Sequence, residues 1–134
     1  MASRPVLIAA AARDPFVAQL VRLLRSEGRE VAVAHRADTA LRMASARRRP
    51  AVIILDTVLP DGDGFSLCRR LKENQATGDI PVFCFSVVMA RDRCVEVAAD
   101  GFMLKPMEQD LLLERVREIL DNRVTVLPQR SISR

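Results

Sequence analysis

Short apolar runs alternate with amphipathic stretches five times along the chain. Val6 to Ala10 reads as a first strand, and Asp14-Pro15 then supplies an N-cap followed by proline in the first helical turn. Phe16, Val17, Leu20, Val21, Leu23 and Leu24 form a broad helical stripe that Gly28 ends. Val31 to Val33 is a second short strand. A second helix runs from Asp38 to Arg48, with Ala40, Leu41 and Ala44 facing inward. Ala51 to Leu55 is apolar at consecutive positions, which is how a strand covered by helices on both faces reads. After Asp56 comes a loop rich in structure breakers, Leu59 to Gly64, and then a helix carrying Phe65, Leu67, Cys68 and Leu71. Pro81 to Phe85 is a fourth buried strand, Arg91 to Ala98 a short helix, and Phe102 to Leu104 a brief fifth strand. Glu108 to Leu120 closes the series as a helix with Leu111, Leu112, Val116, Ile119 and Leu120 at helical spacing.

This alternation predicts an α/β fold, a three-layer sandwich around a central five-stranded parallel sheet with right-handed crossovers. Functional groups of such sheets gather beyond the carboxyl ends of the strands. The positions to inspect are therefore Ala10 to Asp14, Asp56, Ser86 and Lys105, which bring an acid, a hydroxyl and an amine to one edge.

Composition narrows the reading. The 134 residues fit one domain, expected over residues 1–122, with 123–134 as a short tail. No apolar run approaches the roughly 20 residues that a membrane span needs. The formal charge of +4 invites a nucleic-acid reading, but the 21 basic residues are spread along the chain, Trp and Tyr are absent, and no helix-turn-helix or zinc-finger pattern is present. Direct nucleic-acid binding is not expected. Cys68, Cys84 and Cys94 are odd in number and lack Cys-x-x-Cys spacing, which argues against a disulfide framework or a zinc site and suits a reducing cytoplasm. Cys84 reads as core filler. His35 is the single histidine, so a multi-histidine metal site is excluded, and it reads as a solvated residue at a strand end.

The same residues resemble the response-regulator receiver family, with its CheY-like, flavodoxin-like (βα)5 fold. Asp56-Thr57-Val58-Leu59-Pro60-Asp61-Gly62-Asp63-Gly64 is similar to the family's pattern around its phosphoacceptor, an aspartate with proline four residues on and Asp-Gly beyond. Ser86 stands where the family has Thr or Ser, Lys105-Pro106 matches the lysine-proline pair after the fifth strand, and Phe102 matches the aromatic switch position. The resemblance covers about residues 5 to 121. It implies that Asp56 takes a phosphoryl group from a phosphohistidine and that Lys105 pairs with the carboxylate and then with the phosphoryl oxygens. It also implies that Ser86 donates to a phosphoryl oxygen and that Phe102 turns inward as the hydroxyl moves. The partners implied are a sensor histidine kinase, a phosphotransfer protein, a downstream effector, or a second copy of the chain.

One departure bears on all of this. In the family an acidic pair follows the first strand and, with the phosphoacceptor, holds Mg²⁺. Counted back from Gly28, that pair falls on Ala11 and Ala12; shifted by one residue it falls on Ala10 and Ala11. Alanine offers magnesium neither charge nor a side-chain oxygen, and phosphoryl transfer relies on charge stabilisation of the equatorial oxygens. Two compensations are conceivable. Asp14 serves either as a substitute ligand or as a helix cap. Arg13 either sets its guanidinium beside Asp56 in place of the metal's charge or points to solvent. The interval from Ser86 to Lys105 is also shorter than is usual in the family, and Val87-Val88-Met89 there is unusually apolar, as local packing or as a docking patch. The leading expectation is a metal-independent receiver with no cofactor and no enzymatic role, signalling through protein contacts. The alternative is a working phosphoacceptor with Mg²⁺. The chain is expected to be either a stand-alone receiver or the receiver part of a longer protein.

Overall fold

A computed structural model describes residues 4–87 and 91–121. Five parallel strands form one sheet in the order β2-β1-β3-β6-β7: β1 Val6–Ala9, β2 Val31–Ala34, β3 Val52–Leu55, β6 Val82–Ser86 and β7 Gly101–Leu104. Between β3 and β6 lies a two-stranded antiparallel hairpin, β4 Val58–Leu59 with β5 Gly62–Asp63. The helices are α1 Pro15–Ser26, α2 Ala37–Ala44, α3 Gly64–Glu73, α4 Arg91–Glu96 and α5 Gln109–Leu120. This is the expected flavodoxin-like (βα)5 sandwich.

The strands alternate between two cores. Leu7, Ala9, Ile53, Leu55, Val82 and Cys84 face α2, α3 and α4, where Ala40, Ala44, Leu67, Leu71 and Val97 meet them. Val6, Ile8, Val52, Ile54, Phe83 and Phe85 face α1 and α5, against Leu20, Leu24, Leu112 and Val116. Fully burying one such aliphatic or aromatic side chain is worth about 1.5–3 kcal/mol, so each strand position specifies its layer, and a one-residue slip would exchange the layers.

Two boundaries differ from the sequence expectation. The second helix stops at Ala44, four residues early, because the Ser45 hydroxyl and amide both turn back on Leu41 O, at 3.0 and 3.2 Å. The arginines that follow serve as tethers: Arg48 pairs with Glu30 at 2.6 Å, and Arg49 pairs with Asp79. The breaker-rich loop is also more ordered than a plain loop. Its hairpin sets Asp63 to cap α3 through Ser66 N at 2.7 Å, while Asp61 reaches across to accept from Ala37 N and Asp38 N at 2.6 and 3.1 Å, capping α2 from a distance.

Candidate functional site

The sheet order reverses between β1 and β3, so their outgoing loops diverge and leave a crevice at their carboxyl ends. Asp56 sits there. Its amide donates to Ala9 O at 2.9 Å, and Lys105 N donates to Ser86 O at 2.7 Å, so strand hydrogen bonding places both residues at one edge. The Lys105–Pro106 peptide that follows is cis.

The centre of the site is the Lys105 ammonium, whose side chain is only 2% exposed. It donates to Asp56 Oδ2 at 2.6 Å and to Asp14 Oδ2, and it lies 5.5 Å from the centroid of the Phe85 ring. One cation thus bridges two carboxylates, each 14% exposed. The remaining Asp56 oxygen accepts from Val58 N at 3.2 Å. Asp14 spends its other oxygen on the start of α1, accepting from Phe16 N at 2.9 Å and Val17 N at 3.2 Å. It is therefore a helix cap and an ion-pair partner at once, combining the cap reading with a place beside Asp56. Burial opposes its charge, but the Lys105 hydrogen bond, the Val17 amide, the Lys105 charge and the Phe16 amide together hold the carboxyl below its ordinary value of 3.8.

That depressed value has a consequence for stability. A carboxyl with a lowered folded pKa stabilises the fold fully above its unfolded pKa, and the contribution fades as pH falls through the folded value. Asp14→Asn keeps a capping oxygen but loses the charge. It is expected to cost about 1 kcal/mol at pH 7, and the deficit should close as the pH falls through the lowered folded-state value of Asp14. Urea unfolding of both proteins at pH 7 and at low pH checks this; a deficit unchanged by acid would place the loss elsewhere.

The turn that brings Asp14 back runs through Arg13, whose φ of 68° lies in the left-handed region. A non-glycine residue there costs roughly 1–2 kcal/mol, strain of the kind that collects at functional loops. Arg13 itself is exposed, and among the described residues it forms no ion pair or hydrogen bond with Asp56, whose cation is Lys105. The guanidinium reading of Arg13 is therefore corrected to the solvent-facing one.

Ser86 is fully buried, and its hydroxyl lies 2.8 Å from that of Thr57, itself 4% exposed. Phe102 is buried with its ring on the α4 side. Arg91 covers that ring at 5.2 Å, donates to Phe102 O at 3.2 Å and pairs with Glu108 at 2.9 Å. Thr57 and Arg91 were not anticipated. Thr57 occupies an ordinary loop position whose inward side chain depends on the hairpin, and Arg91 meets Phe102 only once β7 is in place. His35 is exposed at the end of β2, as expected, with Nδ1 at 3.0 Å from Ala10 O. Val87 is exposed, while Val88 and Met89 lie outside the described residues, as does the tail from 122 onward.

A sequence profile of the response regulator receiver domain matches residues 12–117. The chain belongs to this family. It is 40% identical over 99 residues to the response regulator PleD of Caulobacter vibrioides, which covers 72% of this chain and 22% of that protein. It is 32% identical over 120 residues to the DNA-binding dual master transcriptional regulator RpaA of Synechocystis, covering 87% of this chain and 49% of that one. The chain thus spans less than half the length of these curated relatives. A crystal structure of a putative response regulator from Chloroflexus aurantiacus superposes with a TM-score of 0.77 at 27% identity, covering 89% of this chain and 99% of that one. A signal receiver domain of a histidine kinase from Syntrophus aciditrophicus gives 0.74 at 27%, covering 91% and 98%. No helix among the described residues is long and apolar enough to cross a membrane.

Receivers of this family hold Mg²⁺ beside the phosphoacceptor, and the residues here do not fit that ion. The register of Ala9 with Leu55 puts Ala10 level with Asp56, and Ala11 and Ala12 lead away into the turn. Whichever two of the three match the acidic pair, none carries a side-chain oxygen. Asp14 and Asp56 are the carboxylates present, and both are engaged by Lys105. Among the described residues, no cluster of three or more His, Cys, Asp or Glu side chains is arranged to hold a metal.

Proposed function

We propose that this receiver is metal-independent and signals through protein–protein contact, its state set by a partner and not by phosphorylation of Asp56. The observation that carries the reading is the Asp14–Lys105–Asp56 bridge beside an alanine run. The ammonium supplies the positive charge that the site needs, and the alanines remove the ligands of a divalent ion. The Ser86 hydroxyl bonded to Thr57, and Phe102 held under Arg91, support a receiver kept in one arrangement. Val58, which opens β4, and Val87 and Met107, which follow β6 and β7 in the chain, are large apolar residues left exposed. Large apolar side chains left exposed suit a protein partner, of which a sensor kinase, a phosphotransfer protein, an effector or a second copy of the chain are the classes to test.

A second reading has one observation in its favour: an acid, Asp14, does stand beside Asp56 through their shared lysine. In that reading Asp14 leaves Lys105 to serve as a ligand and Asp56 remains a nucleophile. Incubation with a small acyl phosphate and Mg²⁺, followed by intact mass measurement, separates the two. The expected outcome is an unchanged mass. A phosphate-sized increase that disappears in Asp56→Ala would establish the second reading instead.

A further inference from the structure

The amino ends of the strands carry a second feature, remote from Asp56. Helix α2 stops at Ala44, and β2 is an edge strand with no further strand beyond it. Between them lies an open hollow of about 210 Å³, walled by Pro5, Leu7, Ala32, Met43, Ala46 and Pro50. Glu30 and Arg48 complete its lining as an ion pair at 2.6 Å. Pro5, Glu30 and Pro50 come just before strands, whereas Asp56, Ser86 and Lys105 end or follow them. The hollow and the crevice therefore lie at opposite ends of the sheet.

The surroundings of the hollow are basic. Arg47, Arg48 and Arg49 stand in a row between Ala46 and Pro50, two of its walls. Arg4 is fastened to the same stretch, donating from Nε to Arg49 O at 3.0 Å and from Nη2 to Pro50 O. Arg48 answers Glu30, and Arg49 answers Asp79. Arg4 spends its guanidinium on carbonyls, and Arg47 is exposed and pairs with no acid among the described residues. Four guanidinium groups thus stand against two carboxylates.

We infer that this hollow docks an acidic segment of a partner protein, which seats one large apolar side chain in it and sets its flanking carboxylates on the arginines. Size decides the class. Small-molecule sites enclose about 300–1,000 Å³; this one is smaller and open, with room for a single leucine- or phenylalanine-sized group. One apolar anchor in a pocket, ringed by polar contacts, is how protein interfaces concentrate their affinity. Met43 lets the wall adapt, because its unbranched thioether rearranges at little cost. The excess of positive charge selects acidic flanks. A nucleic acid would meet the charge and leave the hollow empty. Docking at this end leaves the crevice open, so the inference stands whether or not Asp56 is phosphorylated.

The test adds three synthetic peptides to the whole ¹⁵N-labelled chain: a leucine flanked by Asp and Glu, the same peptide with alanine for leucine, and the leucine flanked by lysines. The acidic leucine peptide is expected to shift the amides of Leu7, Ala32, Met43, Ala46 and Arg48 and to leave those of Asp56 and Lys105 in place. The alanine peptide should bind at least about tenfold more weakly, and the lysine peptide should not bind. Ala46→Phe, which fills the hollow, should abolish binding, and Arg47→Glu should weaken it severalfold. Both residues are exposed, so neither change burdens the core. Glu30→Gln removes a competing carboxylate and should strengthen binding, which a purely structural role for the Glu30–Arg48 pair would not do. No shift at these amides with millimolar peptide, equal binding by the alanine peptide, or tighter binding of DNA than of the acidic leucine peptide would overturn the proposal.

Discussion

Lys105→Met is expected to lower the unfolding free energy by about 2–3 kcal/mol at pH 7, the largest loss of any single side-chain change at the site. The reason is what remains behind. The ammonium is almost completely buried and is the shared partner of Asp14 and Asp56. Without it, two carboxylates face the crevice with no counter-charge. Removing one partner of a fully buried pair costs about 3–5 kcal/mol, and the residual exposure of both carboxylates, which lets water screen them, places this site below that range. Acid should relieve the penalty. Two like charges sharing a site raise one of their pKa values, so the variant's folded state takes up a proton that its unfolded state does not hold. Its stability then rises relative to wild type as pH falls through that raised value. Urea unfolding from pH 7 down to pH 4 reads this directly. The double change Lys105→Met with Asp14→Asn should recover part of the loss, giving a coupling energy of about 1 kcal/mol or more between sites in direct contact. A Lys105→Met protein as stable as wild type at pH 7 would mean that the bridge does not hold the site together.

Much of this architecture was legible in the chain, for identifiable reasons. Strands such as Val52–Leu55 are apolar at every position because both faces are covered, so the layers and their order follow from pattern alone. Asp56, Ser86 and Lys105 were found by their places at strand ends, a one-dimensional signal, and Phe102 by its likeness to the family's aromatic position. Two kinds of feature escaped. The first is the partner of a charge: Arg13 and Asp14 are neighbours in sequence, and only the left-handed turn at Arg13 decides that the acid returns to the crevice while the guanidinium goes to solvent. The second is convergence from distant elements. Cys68, Cys84 and Cys94 reach one core from α3, β6 and α4, which their spacing along the chain does not record. The same holds for Thr57 and Ser86, whose hydroxyls meet across the crevice. The apolar-filler reading of Cys84 agrees with its complete burial.

Gly64→Ala is expected to be the most disruptive backbone-level change near the site, costing about 3 kcal/mol or more and displacing Asp56. Gly64 opens α3, and its amide donates to Thr57 O at 2.9 Å, which closes the hairpin that follows Asp56. A Cβ built at Gly64 would fall 2.0 Å from Asp56 O, with Asp56 C and Leu55 Cδ1 both at 2.9 Å. The obstacle is main chain at the end of a central strand, where no rotamer change gives relief. Something must move, and the choices are the start of α3, with its Asp63 cap, or the carbonyl of Asp56 itself. Either choice alters the reach from Asp56 Oδ2 to Lys105. The effect should therefore appear in two measurements: a lower urea midpoint, and altered chemical shifts of the Asp56 amide and the Lys105 ammonium. By contrast, a Cβ at Gly28 meets nothing within 4 Å, and the cost of Gly28→Ala lies in its φ of 81° alone, about 1 kcal/mol. The contrast between the two glycines is the control: equal losses at both would show that helix-end geometry, and not the close approach to Asp56, explains the result at Gly64.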